Sequence, residues 1–383
     1  MAGGINSVAT LSQNLLLQTN VRNIQSQLDK LQLQIASGKK TDVYSGLGST
    51  SRMTLDFHRQ KEQIQNYRDT IASTQARIGV VDKAMTRITE IATEFRSKYL
   101  QNRTYMDTDP TVRAVFQDEA QSAIKEINQL LNSSYEGRYL FSGRLISTPP
   151  MVNPGDTATA GTPLRVLSDV INVTAGTNYV ANGATTAFNA VVTTLTPSAA
   201  AYTGTAPNTY PYNGDNATYS NSSPFTNALT VRIDEATDVG YTFRGDDNSV
   251  AALMQGLFTF ATTTYSAAQS TAFFQLMDAA SFRIDQSLEG SNLTAPAGIP
   301  TSTTPAFNGL RAALGTIGAI ENRLKDVDLQ HEQRLTLLDG ELGRLEDADP
   351  YEAITKLQGL QSQLSSSFQV TSILKDLTLS NFI

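Results

Sequence analysis

The sequence predicts a mainly α protein: an elongated antiparallel helical bundle or coiled coil built from both chain ends, with a small β-rich domain inserted in the middle. Apolar residues recur at heptad spacing near both ends of the 383-residue chain. Between about Val152 and Thr226 that periodicity vanishes, and Thr, Ala, Asn, Gly, Ser and Pro dominate. Cysteine is absent, so the fold must be held by packing alone, with no disulfide, thiolate metal site or cysteine nucleophile.

The first seam is Leu17, Val21, Ile24, Leu28, Leu31 and Ile35, with Gln and Asn on its outer face. It stops at Ser37-Gly38, a C-cap signal. A helix so rich in amides is marginal alone and should order only against a partner. Residues 39 to 51, with two glycines and a Ser/Thr cluster, read as a loop.

The longest seam follows. Phe57, Gln60, Ile64, Tyr67, Ile71, Thr74, Ile78, Val81, Met85, Ile88, Ala92 and Phe95 alternate spacings of three and four without a slip. Arg, Lys, Asp and Glu fill the opposite face. At about 1.5 Å per residue this is a rod roughly 60 Å long, fraying near Asn102. Thr108-Asp109-Pro110 signals a new helix start, with a buried stripe of Val112, Phe116, Ala120, Ile124, Ile127 and Leu131. It ends at Glu136-Gly137, and Arg138 to Gly143 reads as a strand.

Within the insert, Val170-Ile171-Asn172-Val173 reads as a short strand, and Asn182-Gly183 and Asn213-Gly214 as hairpin turns. Leu229 to Ile233 and Tyr241 to Phe243 predict a returning hairpin. Asp247-Asn248 caps the next helical stretch, marked by Val250, Leu253, Leu257, Phe260, Phe273, Phe274, Met277 and Ile284. After a loop from Pro296 to Pro305, a second rod carries Leu310, Leu314, Ile317, Leu324, Val327, Leu335, Leu338, Leu342 and Leu345. Glu346 to Pro350 interrupts it. The last helix bears Ile354, Leu357, Leu360, Leu364, Phe368, Ile373, Leu374 and Leu377.

Three domains follow: a terminal coiled coil from 1–38 and 350–383, a helical rod domain with a hairpin from 39–145 and 246–349, and a β-rich surface domain at 146–245. The rod core is assigned to Phe57, Ile64, Tyr67, Ile71, Ile78, Val81, Met85, Ile88, Phe95, Leu314, Ile317, Leu324, Leu338 and Leu342. The terminal seams Leu17, Val21, Ile24, Leu28, Leu31, Ile35, Leu357, Leu360, Leu364, Phe368, Leu374 and Leu377 are assigned to an assembly interface. Half-covered stripes at opposite chain ends are expected to order only against a partner.

The same residues exclude several functions. A net charge of -7 and a pI near 5.0 come with no basic stripe, so nucleic acid is not expected as a partner. No apolar stretch is long enough to enter a membrane, and the first residues lack the basic and apolar regions of a secretory signal. His58 and His331 are the two histidines, far apart on predicted helices, which gives no metal site. Phosphate loops and nucleophile elbows are missing. No enzyme and no cofactor is expected. Arg244-Gly245-Asp246 spells an adhesion tripeptide and reads as the turn before a capped helix. Glycosylation sequons at Asn172, Asn216, Asn221 and Asn292 follow from the Ser/Thr-rich composition. Glu346, Asp347 and Asp349 lack the spacing of a calcium loop and read as a solvated turn or a polar contact between subunits.

At both ends the sequence resembles the bacterial flagellin family, which includes filament flagellins and the hook-filament junction protein. Leu31-Gln-Leu-Gln-Ile-Ala-Ser-Gly-Lys-Lys40 is similar to the family's heptad helix ending in a Ser-Gly-basic turn. Leu314-Gly315, Ile320-Glu321-Asn322-Arg323-Leu324 and Leu345-Glu346-Asp347-Ala348-Asp349 match its Leu-Gly, Asn-Arg and Glu-Asp-Ala-Asp signposts in order. The acidic pair that usually follows the turn is replaced here by Tyr44-Ser45-Gly46-Leu47-Gly48. Arg87 and Glu90 match an Arg-x-x-Glu motif carried by flagellins that a Toll-like receptor recognises.

The resemblance implies a structural subunit of the flagellar filament, exported unfolded through the flagellar type III channel and polymerised outside the cell for motility. Implied partners are further copies of the chain, axial junction and cap proteins, and an export chaperone. The alternative within the family is the hook-filament junction protein, toward which the helix between Asp247 and Leu288 points. A more distant alternative is a surface adhesin that presents Tyr202, Tyr210, Tyr212 and Tyr219 on the insert.

Overall fold

The heptad seams form long helices, and their capping signals fix where those helices stop. The structure, a computed structural model, describes residues 3–143, 146–174, 178–195, 229–241, 243–300 and 306–380, with side chains described between 15 and 373. Helix α1 spans Gly3–Ser37 and closes on Gly38, whose φ of +71° is the left-handed cap conformation that glycine adopts without strain. A 3-10 turn, Tyr44–Thr50, leads into α2, Ser51–Asn102. A single short turn, α3 (Tyr105–Thr108), precedes α4, Pro110–Leu131. There Asp109 accepts from the Thr111 amide at 2.8 Å, which holds its carboxyl below the usual range.

A small hairpin follows, β1 (Ser134–Tyr135) pairing antiparallel with β2 (Arg138–Tyr139). Its turn puts Glu136 at φ +51° and Gly137 at φ +74°, the paired positive values of a tight hairpin turn. Beyond it come α5 (Pro163–Asn172) and α6 (Tyr179–Leu195). The second antiparallel pair is β3 (Thr230–Asp234) with β4 (Thr237–Gly240). Four helices complete the order: α7 (Asn248–Thr262), α8 (Ser270–Glu289), α9 (Leu310–Glu346) and α10 (Pro350–Ser380).

The fold class is as expected, long helices at both ends with two small antiparallel sheets in the middle. The detail of the insert is corrected. Val170 to Val173, read as a strand, is the end of α5 and its C-cap, and Asn182-Gly183, read as a hairpin turn, is a kink inside α6 where Gly183 has φ +82°. Both segments fold as helices because they have a surface to bury: Leu164, Leu167 and Ile171 of α5 and Phe188, Val191, Val192 and Leu195 of α6 are all within 2% exposure. The expected hairpin before α7 is present, with its second strand at Thr237–Gly240 rather than at Tyr241 to Phe243. The expected turn at Asn213-Gly214 lies outside the described residues.

The chain divides into two compact units, Met1–Asn66 with Leu329–Ile383, and Tyr67–Asp328. The larger unit is organised around α7, which is buried at every position from Ser249 to Thr262 and packs against α4, α5, α6 and α8. Its Thr259 and Thr262 hydroxyls return to the carbonyls of Gln255 and Phe258, so both are satisfied inside that core. Helix α2 is laid on by Phe95 and Tyr99, whose rings meet Phe116 of α4 and Phe260 of α7 edge to face. Ion pairs Arg87–Glu126 and Lys98–Glu119 tie it to α4 and Arg96–Asp285 to α8, and Arg103, just past its end, pairs with Asp278 of α8. Asn172 at the end of α5 clamps the end of α7, donating to the Thr262 carbonyl at 2.6 Å and accepting from the Thr264 amide at 3.0 Å.

Gly256 sits where α7 crosses α8. A Cβ there would lie 2.6 Å from Ile284 Cγ1 and 2.7 Å from the Ala280 carbonyl oxygen. Gly256→Val should therefore lower the unfolding free energy by about 1–3 kcal/mol, measured by urea denaturation. Two buried phenols give the larger unit an alkaline limit. Burial pushes Tyr179 up to about 12 and raises Tyr99 as well, aided by the Asp278 carboxylate that its hydroxyl meets at 2.7 Å. Folding binds those protons more tightly, so stability is complete below about pH 10 and falls as pH rises toward 12. Thermal melts between pH 9 and 12 should show this loss, and Tyr179→Phe should reduce it.

Candidate assembly surface

In the smaller unit the end of α1 meets the end of α9. Lys40 donates its amide to the Glu346 carbonyl at 2.7 Å, and Ala348 donates to the Gly38 carbonyl at 2.8 Å. Lys40 Nζ reaches the last carbonyls of α9, those of Arg344 at 2.7 Å and Leu345 at 3.0 Å. A helix leaves its final carbonyls without intrahelical partners and with partial negative charge, so a lysine there both satisfies and neutralises them. Gln34 Nε2 holds the Lys40 carbonyl at 2.6 Å from within α1.

Glu346 is the charged centre of this clasp. Its carboxylate, 13% exposed, faces Lys39 Nζ at 3.5 Å and His58 Nε2 of α2 at 2.5 Å. The Tyr44 ring packs edge-on against His58. Glu346 is thus a partner within the chain, which corrects its reading as a solvated turn or a contact between subunits. Asp349 caps α10 instead, accepting from the amides of Tyr351 and Glu352. Because α1 ends and α10 begins at the clasp, the two helices leave it side by side, and they pack against one another.

Their seam is only partly closed. Ile24 and Leu28 of α1 and Ala353 of α10 are buried. Leu17, Val21, Leu31, Leu357, Leu360 and Leu364 are half-buried. Ile35 and Phe368 are exposed, and the side chains of Leu374 and Leu377 lie outside the described set. Fifteen of the twenty-one large apolar side chains left exposed among the described residues belong to this smaller unit. Leu15, Leu16, Leu33, Tyr351, Val370 and Ile373 are among them. Exposed apolar surface concentrated in this way makes these helices the candidate assembly surface.

The residues assigned to the rod core divide between the units. Ile64, Leu338 and Leu342 are buried in the smaller one, with Phe57 half-buried against the same cluster. Ile71, Ile78, Val81, Met85, Ile88, Phe95, Ile317 and Leu324 are buried in the larger, where Tyr67 and Leu314 are half-buried. His331 is 1% exposed on the inner face of α9. Arg244 and Asp246 of the adhesion-like tripeptide pair with each other, 11% and 5% exposed, and the Gly245 amide donates to the Phe141 carbonyl at 2.8 Å. Burial raises the Asp246 carboxyl against the pull of Arg244. The tripeptide is therefore an internal corner with its charges consumed.

Arg87 bonds Glu126 at 2.7 Å and Glu90 at 3.3 Å on an exposed face. Of the sequons named above, Asn172 is the clamp already described, Asn292 is exposed, and Asn216 and Asn221 lie outside the described residues, as do Tyr202, Tyr210, Tyr212 and Tyr219. Among the described residues no group of three metal-ligating side chains converges, and no helix is long and apolar enough to cross a membrane. A cleft of about 230 Å³ in the larger unit is lined mainly by Met106, Phe116, Phe260, Phe273 and Met277, with Arg113 stacked on Tyr265 at 3.9 Å. It gathers no nucleophile and base.

Residues 8–145 match the model of the bacterial flagellin N-terminal helical region, and residues 301–383 that of the bacterial flagellin C-terminal helical region. No curated protein matches the chain. Among solved structures, a putative flagellar hook-associated protein from Vibrio parahaemolyticus is similar at 13% identity and a TM-score of 0.43, covering 78% of this chain and 97% of that one.

The clasp couples the two terminal helices, so loosening it should free both. Glu346→Gln removes the charge facing Lys39 and His58, and the expected cost is about 1 kcal/mol. Amide hydrogen exchange should quicken across α1 and α10 while the protected amides of α7 stay unchanged.

Proposed function

Since the chain belongs to the bacterial flagellin family, a family of structural proteins that polymerise, we propose that it is a subunit of the flagellar filament serving motility. It leaves the cell unfolded through the flagellar export channel and assembles outside through α1 and α10. The observation that carries this reading is the half-closed seam between those helices, with Ile24, Leu28 and Ala353 buried while Leu16, Leu33, Phe368 and Ile373 face outward. Burying one such side chain contributes about 1.5–3 kcal/mol. Several per copy can offset the ordering of two terminal helices once neighbours are present. Axial junction and cap proteins would meet the same helices at the filament ends, and an export chaperone would cover them before assembly.

The other member role, a hook-filament junction protein, is favoured by the helical pair α7–α8 that precedes the C-terminal region. Copy number separates the two roles. A filament subunit dominates a gel of sheared flagella, whereas a junction protein is a trace band.

Removing Leu364 to Ile383 tests the assembly scheme directly. The truncated protein should remain soluble and helical and should not sediment as polymer under conditions where the full chain does. Filaments at normal yield from the truncated protein would contradict the proposal.

A further inference from the structure

Three arginines of the larger unit hold a carboxylate through the same edge of the guanidinium. Arg68, Arg103 and Arg244 each donate from Nε and Nη2 to the two oxygens of one acid, Asp328, Asp278 and Asp246 respectively. That fork matches a carboxylate in both spacing and charge. Arg113 of α4 is held differently. Its Nη1 donates to the main-chain carbonyls of Met106 at 2.5 Å and Asp107 at 3.2 Å, and its central carbon lies 3.9 Å from the centre of the Tyr265 ring. The guanidinium is thereby fixed from two sides, while among the described residues no acceptor meets its Nε and Nη2. The two nearest acids are engaged elsewhere: Asp107 accepts from the Tyr265 hydroxyl at 3.1 Å and Asp109 from the Thr111 amide at 2.8 Å.

Arg113 and Tyr265 both line the cleft of about 230 Å³ in the larger unit, whose buried floor is Met106, Phe116, Phe260, Phe273 and Met277. An apolar cavity of about 150 Å³ holds one benzene ring, so this cleft has room for a ring with a short chain. We propose that it binds a small monocarboxylate with an apolar body, the body on the Met and Phe floor and the carboxylate on the Nε and Nη2 donors of Arg113. Charge selects the class of ligand. A cation would be repelled by Arg113, and a neutral apolar molecule would leave the fork without an acceptor. A diacid would place its second charge on the apolar floor. The site draws on nothing at the chain ends, so it stands or falls apart from the filament reading.

The probe is 3-phenylpropionate, titrated into the full-length protein at about pH 7, where the acid is ionised, with 3-phenylpropanol as its neutral match. Methionine methyl signals in the NMR spectrum report where it binds, because Met106 and Met277 line the cleft and the other methionines do not. Those two signals should shift with a dissociation constant of about 0.1–1 mM. The alcohol should bind at least about ten-fold more weakly, since it loses the charge-assisted pair. Arg113→Lys keeps the charge without the fork and should weaken the acid about five-fold. Asp107→Asn still offers an acceptor to the Tyr265 hydroxyl but removes a nearby negative charge. It should tighten the acid about two-fold and leave the alcohol unchanged, a readout that does not depend on how the Arg113 variant folds. No shift at Met106 and Met277 up to about 10 mM acid, or equal affinity for acid and alcohol, overturns the proposal.

Discussion

Two main-chain hydrogen bonds, from Lys40 to Glu346 and from Ala348 to Gly38, join residues more than three hundred positions apart, and the smaller unit depends on them. They fix the end of α1 beside the start of α10, and hence which residues of the two helices can meet. With Gly38 fixed to Ala348, the run back along α1 brings Leu28 and Ile24 inward and the run along α10 brings in Ala353. The remaining contacts of the clasp protect these two bonds. Lys40 takes the carbonyls that α9 cannot satisfy for itself, and Glu346 gathers Lys39 and His58 around the joint. A charged pair at the surface would contribute little, but here the carboxylate is largely covered and held from two elements at once.

The two units meet opposite demands with the same helical material. In the larger, α7 is enclosed on all sides and the charges of α2 are paired with carboxylates on α4 and α8. Such a core buries its own apolar surface. In the smaller, few described side chains of the terminal helices are fully buried, and most of the exposed large apolar residues among the described ones are found. Local stability follows local burial, so α1 and α10 belong to the low end of the range and α7 to the high end.

Much of this was legible in the sequence, for a definite reason. The seams of α1, α2, α9 and α10 are long enough for periodicity to outweigh any local preference, and Gly38, Asp109 and Asp247 stop or start helices by chemistry that acts within three residues. The insert misled because its local signals conflict. Val170 and Val173 favour a strand and Asn182-Gly183 a hairpin, whereas Thr162-Pro163 with Leu164, Leu167 and Ile171 spells a capped amphipathic helix. Burial decided between them. The clasp was not legible as a contact, since Lys39, Lys40, His58 and Glu346 lie on three separate stretches and each looks like an ordinary surface charge. What the sequence did hold was its two halves, the Ser-Gly-Lys-Lys turn and the Leu-Glu-Asp-Ala-Asp break, each visible as a motif without its partner.

The turn between α1 and α2 shapes the approach to the clasp. Where an acidic pair usually follows the Ser-Gly turn, this chain has Tyr44-Ser45-Gly46-Leu47-Gly48, and a 3-10 turn forms there. Two of its glycines have a steric reason. A Cβ on Gly46 would collide with the Thr41 side chain, and Gly48 sits at φ +60°. The tight path they permit brings Tyr44 against His58, which in turn faces Glu346. Lys39 faces Glu346 and Lys40 the end of α9. The turn therefore contributes backbone shape and the distant helix contributes the charge.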